Sequence, residues 1–231
     1  MLCKSCENKF SKWERSFASI FRFHYNSPGS SINYTADDAL AALSILWRVA
    51  AHCVAHPENY HLELGNDYSR ILEGFEMWRS VLLGEQKNPG RFRTFWLFMD
   101  YATGREAADS GFNRHVFHAT NFDLLASQSR SFVLVHLPGM YLIGALEDTP
   151  RNTFRGVDIS YKGGRYLANE DKVVANFVLD NIKSSIVQTR EAFATMSDRQ
   201  HGKILTDVLS DPEKAISSKL FRTHLHDRRQ L

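Results

Sequence analysis

The chain has 231 residues, of which 43% are hydrophobic and 23% are charged, and its formal net charge is +2. This is enough apolar material for the buried core of one domain or two small ones, whereas the slight positive excess does not by itself indicate nucleic-acid binding, which needs a concentrated basic face. No apolar run approaches the roughly 20 residues of a membrane span, the start MLCKSCENK lacks the apolar region of a signal peptide, and the three cysteines are an odd count, so we expect a reducing, cytoplasmic setting and no membrane partner.

Three helices are predicted in the first hundred residues. Apolar side chains recur at spacings of three and four over about residues 7–22, from Thr35 to Pro57 and from Tyr68 to Leu82. Threonine suits the N-cap of the second helix and proline ends it. Trp47 and Trp78 occupy central positions in the second and third patterns, so we expect both to be core residues of facing helices.

Between residues 91 and 161 the pattern changes to short aromatic and β-branched runs separated by turn residues, which is typical of an antiparallel sheet. The runs are RFRTFWLFMDYA, RHVFHATNF, RSFVLVHLP and GMYLIGALE. The Pro138-Gly139 pair predicts a hairpin turn between the last two runs, while RFRTFWLF also fits a helix. In RHVFHATNF, His115 and His118 would point to opposite faces of a strand, because strand side chains alternate.

The C-terminal third is predicted to be helical. Apolar residues from Val174 to Phe193 mark a long amphipathic helix, and Asp211 is the predicted N-cap of a final short helix that begins at Pro212. The fold class is therefore α+β, with a helical N-terminal layer, a small antiparallel sheet and a long C-terminal helix. Residues 1–30 are predicted to form an incomplete zinc-knuckle-like start and the first helix. Residues 31–231 are predicted to form a single α+β domain, which is mainly helical over 31–90, a sheet over 91–161 and helical over 168–231.

The opening LCKSCENKFSKWERSF, followed by LSILWRVA and EMWRSVLLG, resembles a group of bacterial HNH-endonuclease-like or hypothetical proteins, from about Leu2 to Leu146. That group has an N-terminal zinc-binding module with one Cys-x-x-Cys pair, a histidine-containing HIIP-type stretch, and a second pair that leads into a helix of this kind. The resemblance implies that Cys3 and Cys6 match the second pair. The first pair and the nuclease histidine would then lie upstream of Met1.

Zinc is the one cofactor that the sequence suggests. A closed structural zinc site needs four ligands, and Cys3 with Cys6 supplies two. Further ligands could come from a second copy of the chain or from His24, His52, Cys53 or His56. His52 and His56 lie one helical turn apart, which is a spacing that suits a metal. They also lie at the end of a predicted helix, where the negative end of the helix dipole favours histidine without any metal. The alternative is that the two N-terminal cysteines are reduced, partly exposed remnants of a longer ancestor.

Several arginines alternate with aromatic residues, as in faces that bind nucleic acid or a partner. They are Arg91, Arg93, Arg151 and Arg155. Solvent-facing positions of folded strands give the same pattern. No complete catalytic constellation stands out, so no catalytic residue is predicted.

The predicted function is that of a catalytically inactive, HNH-related binding protein, which acts on a protein complex or on nucleic acid in bacterial or phage defence or counter-defence. One alternative is a nuclease subunit whose partner supplies the missing HNH module. Another is a structural protein whose aromatic surface, with 16 Phe and 4 Trp available, forms a homodimer.

Overall fold

The computed structural model describes residues 4–60, 66–102, 111–127, 130–150, 152–168, 170–218, 221 and 223. Its helices are α1 (Lys4–Asn26), α2 (Ala36–Ala55), α3 (Asn66–Leu83), α4 (Phe112–His118), α5 (Asn176–Ala194), α6 (Asp198–Ser210) and α7 (Pro212–Ser217). Its strands are β1 (Ile32–Tyr34), β2 (Thr94–Phe98), β3 (Asn121–Ser127), β4 (Arg130–Leu137), β5 (Met140–Ala145) and β6 (Gly164–Tyr166). The strands pair antiparallel, which confirms the predicted α+β class with helices at the N-terminus.

The chain forms two compact units, and each unit is built from two separate segments. The first unit comprises Met1–Met99 and Thr120–Ala175, and the second comprises Asp100–Ala119 and Asn176–Leu231. The strands β1 to β6 and the helices α1, α2 and α3 therefore belong to the first unit. The helices α4 to α7 belong to the second.

The N-terminal helices form where the apolar spacing predicts them. Thr35 caps α2 as expected: its hydroxyl accepts from the Asp38 N–H, and its own N–H donates to the Asp38 carboxylate at 2.7 Å. This reciprocal capping box satisfies two backbone donors at the start of the helix. The apolar face of α1 is buried through Phe10, Trp13, Phe17 and Ile20.

The length and composition of α2 would allow it to cross a membrane, although the sequence suggested no such run. Its 20 residues contain an 18-residue window with a mean hydropathy of 1.4, and 50% of that window is buried inside the protein. The helix packs against α1, α3 and the sheet. These contacts are typical of the core helix of a soluble protein.

The main sheet has the strand order β2-β5-β4-β3. The predicted hairpin between β4 and β5 is confirmed, with Leu137 paired to Met140 across a two-residue turn. Pro138 presets its own φ, and Gly139 adopts a φ of 86°, which glycine tolerates without a steric cost. RFRTFWLF contributes the strand β2 rather than the alternative helix.

The expectation that RHVFHATNF is a strand is wrong, because α4 occupies Phe112–His118 and β3 starts only at Asn121. The helix is held by a tertiary contact. The side-chain amide of Asn113 donates to the Ala102 carbonyl at 3.0 Å, and its oxygen accepts from the Ala102 N–H at 2.9 Å. His115 and His118 consequently lie three residues apart on a helix instead of on opposite faces of a strand.

The core of the first unit is formed by the sheet together with α1, α2 and α3. Trp78 of α3 is fully buried, and its indole N–H donates to the Phe92 carbonyl at 2.8 Å. The six-membered ring of this indole lies directly over Gly144 of β5, with Leu46 of α2 beside it. Trp47 is only partly buried and stacks on Phe75 of α3, with ring centroids 5.5 Å apart. The expectation for Trp78 is thus confirmed in full and that for Trp47 in part.

In the second unit α4 packs against α5. Val178, Ile182 and Ile186 recur every four residues along α5 and are buried. The helix α6 follows after Ala194; it lies in the region predicted to be helical, although no separate helix is predicted there. Asp211 caps α7 as expected, since its carboxylate accepts from the Lys214 N–H at 3.0 Å.

Candidate functional site

Those predicted zinc ligands that the structure describes do not form a group of three that could hold a metal ion. Cys6 lies in the first turns of α1 and is partly exposed, while Cys3 lies outside the described residues. His24 lies at the opposite end of the same helix, and eighteen residues of α-helix span about 27 Å. Because zinc-ligand bonds are only about 2.0–2.3 Å long, Cys6 and His24 cannot bind the same ion within one chain.

His24 instead joins α1 to the sheet. It is 2% exposed, and its Nε2 lies 3.0 Å from the Met99 carbonyl and 2.9 Å from the Gly139 carbonyl. Carbonyl oxygens only accept, so Nε2 carries the proton and donates to both in a three-centre hydrogen bond. The imidazole also lies 4.5 Å from the Phe98 ring, between centroids. This nitrogen therefore has no lone pair to offer a metal.

The other candidate ligands lie around the C-terminal end of α2. Cys53 is fully buried in the hydrophobic core. His52 and His56 are exposed, with ring centroids 4.9 Å apart, and the second imidazole lies 3.6 Å from the Glu58 carboxylate. Among the residues that the structure describes, no three His, Cys, Asp or Glu side chains are grouped so that they could hold a metal ion. Zinc binding stays a prediction.

The arginines predicted to bind nucleic acid or a partner have mixed surroundings. Arg91 contacts Glu73 at 2.6 Å, and Arg93 forms an ion pair with Asp158. Each guanidinium also lies about 5 Å from the ring of a neighbouring phenylalanine, which fits their alternation with aromatic residues. Arg155 is exposed, and Arg151 lies outside the described residues. The positive charges at positions 91 and 93 are thus balanced locally by carboxylates.

A small cleft with a volume of about 230 Å³ opens in the first unit, lined by Arg70, Arg91, Phe92, Glu147 and Asp148. Its geometry depends on Gly74, one helical turn after Arg70. A Cβ at this position would lie 2.8 Å from Leu146 and 3.0 Å from Phe92. Glycine therefore lets α3 lie close to the segment after β5 without displacing these side chains, and the cleft gathers arginines and carboxylates from three parts of the chain.

Glu147 is the buried charge of this cleft. Its side chain is 10% exposed, one carboxylate oxygen accepts the Ser131 N–H at 3.0 Å, and the same oxygen lies 4.0 Å from the Arg70 guanidinium. Burial raises the pKa of Glu147, and the Ser131 N–H and the charges of Arg70 and Arg130 offset this only in part. A further positive group in the cleft would stabilise the carboxylate.

In the second unit, α4 presents two histidines to threonine hydroxyls. Thr189 donates its hydroxyl to the Ser185 carbonyl at 2.8 Å, so it accepts from His115 Nδ1, which lies 2.8 Å away. His115 is fully buried, and burial lowers its pKa to about 4. His118 contacts the Thr223 hydroxyl through Nε2 at 3.0 Å. This arrangement holds a neutral imidazole inside the unit.

The helix α6 exposes an apolar stripe, which we define as Leu205, Val208 and Leu209. These side chains are 59%, 40% and 67% exposed. They lie at positions i, i+3 and i+4 and therefore share one face, whereas Lys203 and Asp207 lie on the opposite face. The spacing in KILTDVLS carries this signal, although the sequence analysis predicts no separate helix there.

No protein-family model matches the chain, and no curated protein or solved structure is significantly similar to it. The HNH-like resemblance stays a prediction from the sequence.

Proposed function

We propose that this chain is a catalytically inactive binding protein that docks onto a protein partner through the apolar stripe of α6. The observation that carries the proposal is the exposure of Leu205, Val208 and Leu209 on one face of a capped helix. Exposed apolar patches mark interaction surfaces, and anchors at i, i+3 and i+4 are those by which an amphipathic helix enters a groove of another protein. The occupant is accordingly a protein with an apolar groove.

A protein partner is favoured over nucleic acid by the distribution of charge. The helix α6 carries two acidic residues, Asp198 and Asp207, and two basic residues, Arg199 and Lys203. Nucleic-acid binding depends on an excess of positive charge that neutralises phosphates. Neither α6 nor the carboxylate-paired Arg91 supplies such an excess.

The sequence resemblance adds a setting to this proposal. We propose on this basis that the protein is related to HNH proteins, resides in the cytoplasm and acts on a protein complex in bacterial or phage defence or counter-defence. Zinc at Cys3 and Cys6 would be structural in that setting, with the remaining ligands supplied by other groups.

The test compares the tagged chain with two variants during purification from its native host. One variant replaces the stripe by glutamines (Leu205→Gln, Val208→Gln, Leu209→Gln), which preserves helix propensity and removes the apolar surface. The control variant carries Lys203→Ala and Asp207→Ala on the opposite face. Partners are identified by mass spectrometry, samples are treated with nuclease, and each identified partner is then purified and titrated against all three chains.

We expect a partner whose direct binding survives nuclease treatment and the control changes but falls at least tenfold in the stripe variant, which is about 1.4 kcal/mol. A partner that binds the stripe variant equally well would contradict the proposal. The proposal would also be contradicted if the stripe only holds two copies of this chain together. Light scattering would then show a dimer for the parent and a monomer for the stripe variant. Cleavage of plasmid, single-stranded DNA or RNA by the purified chain with divalent metals would contradict the catalytically inactive part.

A further inference from the structure

The two outer strands of the main sheet, β2 and β3, differ at their outer edges. Beside β2, the Trp96 N–H donates to the Val157 carbonyl at 2.9 Å, and Phe95 forms a bridge with Asp158. Among the residues that the structure describes, β3 pairs with β4 alone, and no hydrogen bond reaches its other side. An open edge offers its backbone N–H and C=O groups to another strand. The edge of β3 is therefore a surface on which a further strand can pair.

The hairpin that joins β3 to β4 shows which backbone groups point outward. Ser127 pairs with Arg130 across a two-residue turn. The two residues that flank such a turn exchange both N–H···O bonds, and along an antiparallel ladder these pairs alternate with pairs that exchange none. Counting back from the turn, every odd-numbered residue of β3 bonds to β4. The N–H and C=O groups that point away from β4 are those of Phe122, Leu124 and Ala126.

The sequence of β3, NFDLLAS, has few features that would prevent pairing. The strand is seven residues long, it contains no proline or lysine, and its register with β4 has no bulge. Sheet edges are commonly protected by such residues, by bulges or by very short strands. Phe122 is 49% exposed and lies edge-on to the His52 ring, with centroids 5.9 Å apart. The single charge, Asp123, lies on the opposite face from Phe122, because strand side chains alternate.

A second copy of β3 is complementary to this edge. If two copies pair antiparallel about Leu124, Phe122 of each copy lies opposite Ala126 of the other, and all three outward residues form hydrogen-bonded pairs. The large, half-exposed ring of Phe122 then packs over a small, exposed alanine. Asp123 lies opposite Leu125, and the two Asp123 residues are diagonal neighbours about 7–8 Å apart, so no like charges are directly opposed.

We propose that this protein forms a homodimer in which the β3 strands of two copies pair antiparallel about Leu124. The two four-stranded sheets then join into one sheet of eight strands. A second copy is the occupant because the same seven residues supply both sides of the match, in backbone groups and in side-chain size. The interface lies on the first unit, involves no residue of α6 and stands independently of the docking proposal.

The test measures self-association of the full-length chain by light scattering and sedimentation equilibrium. Ala126→Pro removes an outward N–H and places a ring at the edge, while the bonds to β4 are kept. Phe122→Lys replaces the apolar ring by a charge of the kind that protects sheet edges. Each variant has a matched control. Ala126→Ser keeps the N–H and nearly the size of alanine, and Phe23→Lys changes a phenylalanine of α1 that is also 49% exposed.

We expect the parent to be a dimer whose dissociation constant rises about tenfold or more in Ala126→Pro and in Phe122→Lys and stays unchanged in both controls. Hydrogen exchange measured by NMR adds a signature of the strand pairing. The amides of Phe122, Leu124 and Ala126 should become protected as the protein concentration increases. Those of Asp123 and Leu125, which bond to β4, should be protected at every concentration.

Three results would overturn the proposal. They are a parent that stays monomeric up to millimolar concentration, a dimer that is equally stable in both β3 variants, and protection of the outward amides that does not depend on concentration. A β3 edge that pairs only with a strand of another protein would give the first result. If Ala126→Pro fails to fold, Phe122→Lys decides against its own control. The variant with glutamines in the α6 stripe should remain a dimer, so failure here is distinguishable from failure of the docking proposal.

Discussion

The indole of Trp78 lies so close to Gly144 that a Cβ at position 144 would stand 2.3 Å from its Cη2 atom. No real Cβ occupies such a position, and Trp78 is anchored by its hydrogen bond to Phe92, which prevents it from simply moving away. The pair therefore determines how closely α3 lies on the sheet.

We predict that Gly144→Ala lowers the free energy of unfolding of the first unit by about 1–3 kcal/mol, the usual cost of overpacking a core. Urea denaturation followed by tryptophan fluorescence measures it, because all four tryptophans lie in this unit. Gly202→Ala is the control: a Cβ there meets nothing within 4 Å, so the tryptophan transition should not move. An equal transition midpoint for Gly144→Ala and the parent would show that the core has room.

Trp78 and Trp47 are both predicted core residues, but their replacement should lower the free energy of unfolding by different amounts. Trp78→Ala is expected to cost about 3–5 kcal/mol, because the side chain is fully buried and the Phe92 carbonyl loses its donor. Trp47→Ala should cost less, since Trp47 is partly exposed and its main described contact is a stacked ring at Phe75. Chemical denaturation of both variants tests the order, and a larger loss for Trp47→Ala would contradict the burial of the two sites.

Acid should destabilise the second unit through His115. Its pKa is lowered to about 4 by burial, against about 6.5 in an unfolded chain. Below pH 6.5 the unfolded state binds a proton that the folded state does not, so the free energy of unfolding falls as the pH decreases from 6.5 to 4 and changes no further below that range. The full loss from this one group is on the order of 3 kcal/mol.

Urea titrations at several pH values, followed through NMR signals of α4 and α5, measure this slope. His115→Gln should flatten the slope between pH 6.5 and 4 even if the variant is less stable throughout. His52→Gln, at an exposed position of the first unit, should leave the slope unchanged. An unaltered slope in His115→Gln would assign the acid sensitivity to other groups.

The zinc hypothesis predicts a bound metal ion, and the position of His24 indicates which variants should keep it. If Cys3 and Cys6 hold structural zinc, elemental analysis should find about one ion per chain or per dimer, since two thiolates cannot close a tetrahedral site alone. The metal should be lost in Cys3→Ser/Cys6→Ser and retained in His24→Gln, because Cys6 and His24 lie about 27 Å apart along α1. Metal-free parent protein that melts at the same temperature as the double variant would end the hypothesis.

Local patterns predicted the local features of the fold. Thr35 at a helix start and Pro138-Gly139 between two apolar runs act through their own backbone chemistry, so their effects are visible within a few residues of sequence. The segment RHVFHATNF misled because its helix depends on Asn113 bonding to Ala102, eleven residues away. Alternating hydrophobicity in a short run carries no information about such a contact.

The candidate sites were harder to predict for a physical reason. Because histidine is a common metal ligand, the sequence offers His24 as a candidate, but its Nε2 bonds to two backbone carbonyls, which have no signature in the sequence. The cleft gathers Arg70, Arg91 and Glu147 from segments that are far apart in the sequence. The spacing of the stripe on α6 is visible in the sequence. Whether these side chains are exposed depends on how the chain packs, which the spacing does not reveal.

The interleaving of the two units has a consequence for how the protein is made. The helices α1, α2 and α3 leave the ribosome well before β4 and β5, the strands against which α2 packs, have been synthesised. At about 5–20 residues per second, their apolar faces stay uncovered for several seconds, a window in which chaperones commonly engage nascent chains. The second unit is completed later, because α4 must persist through the synthesis of β3 to β6 before α5 emerges to cover it.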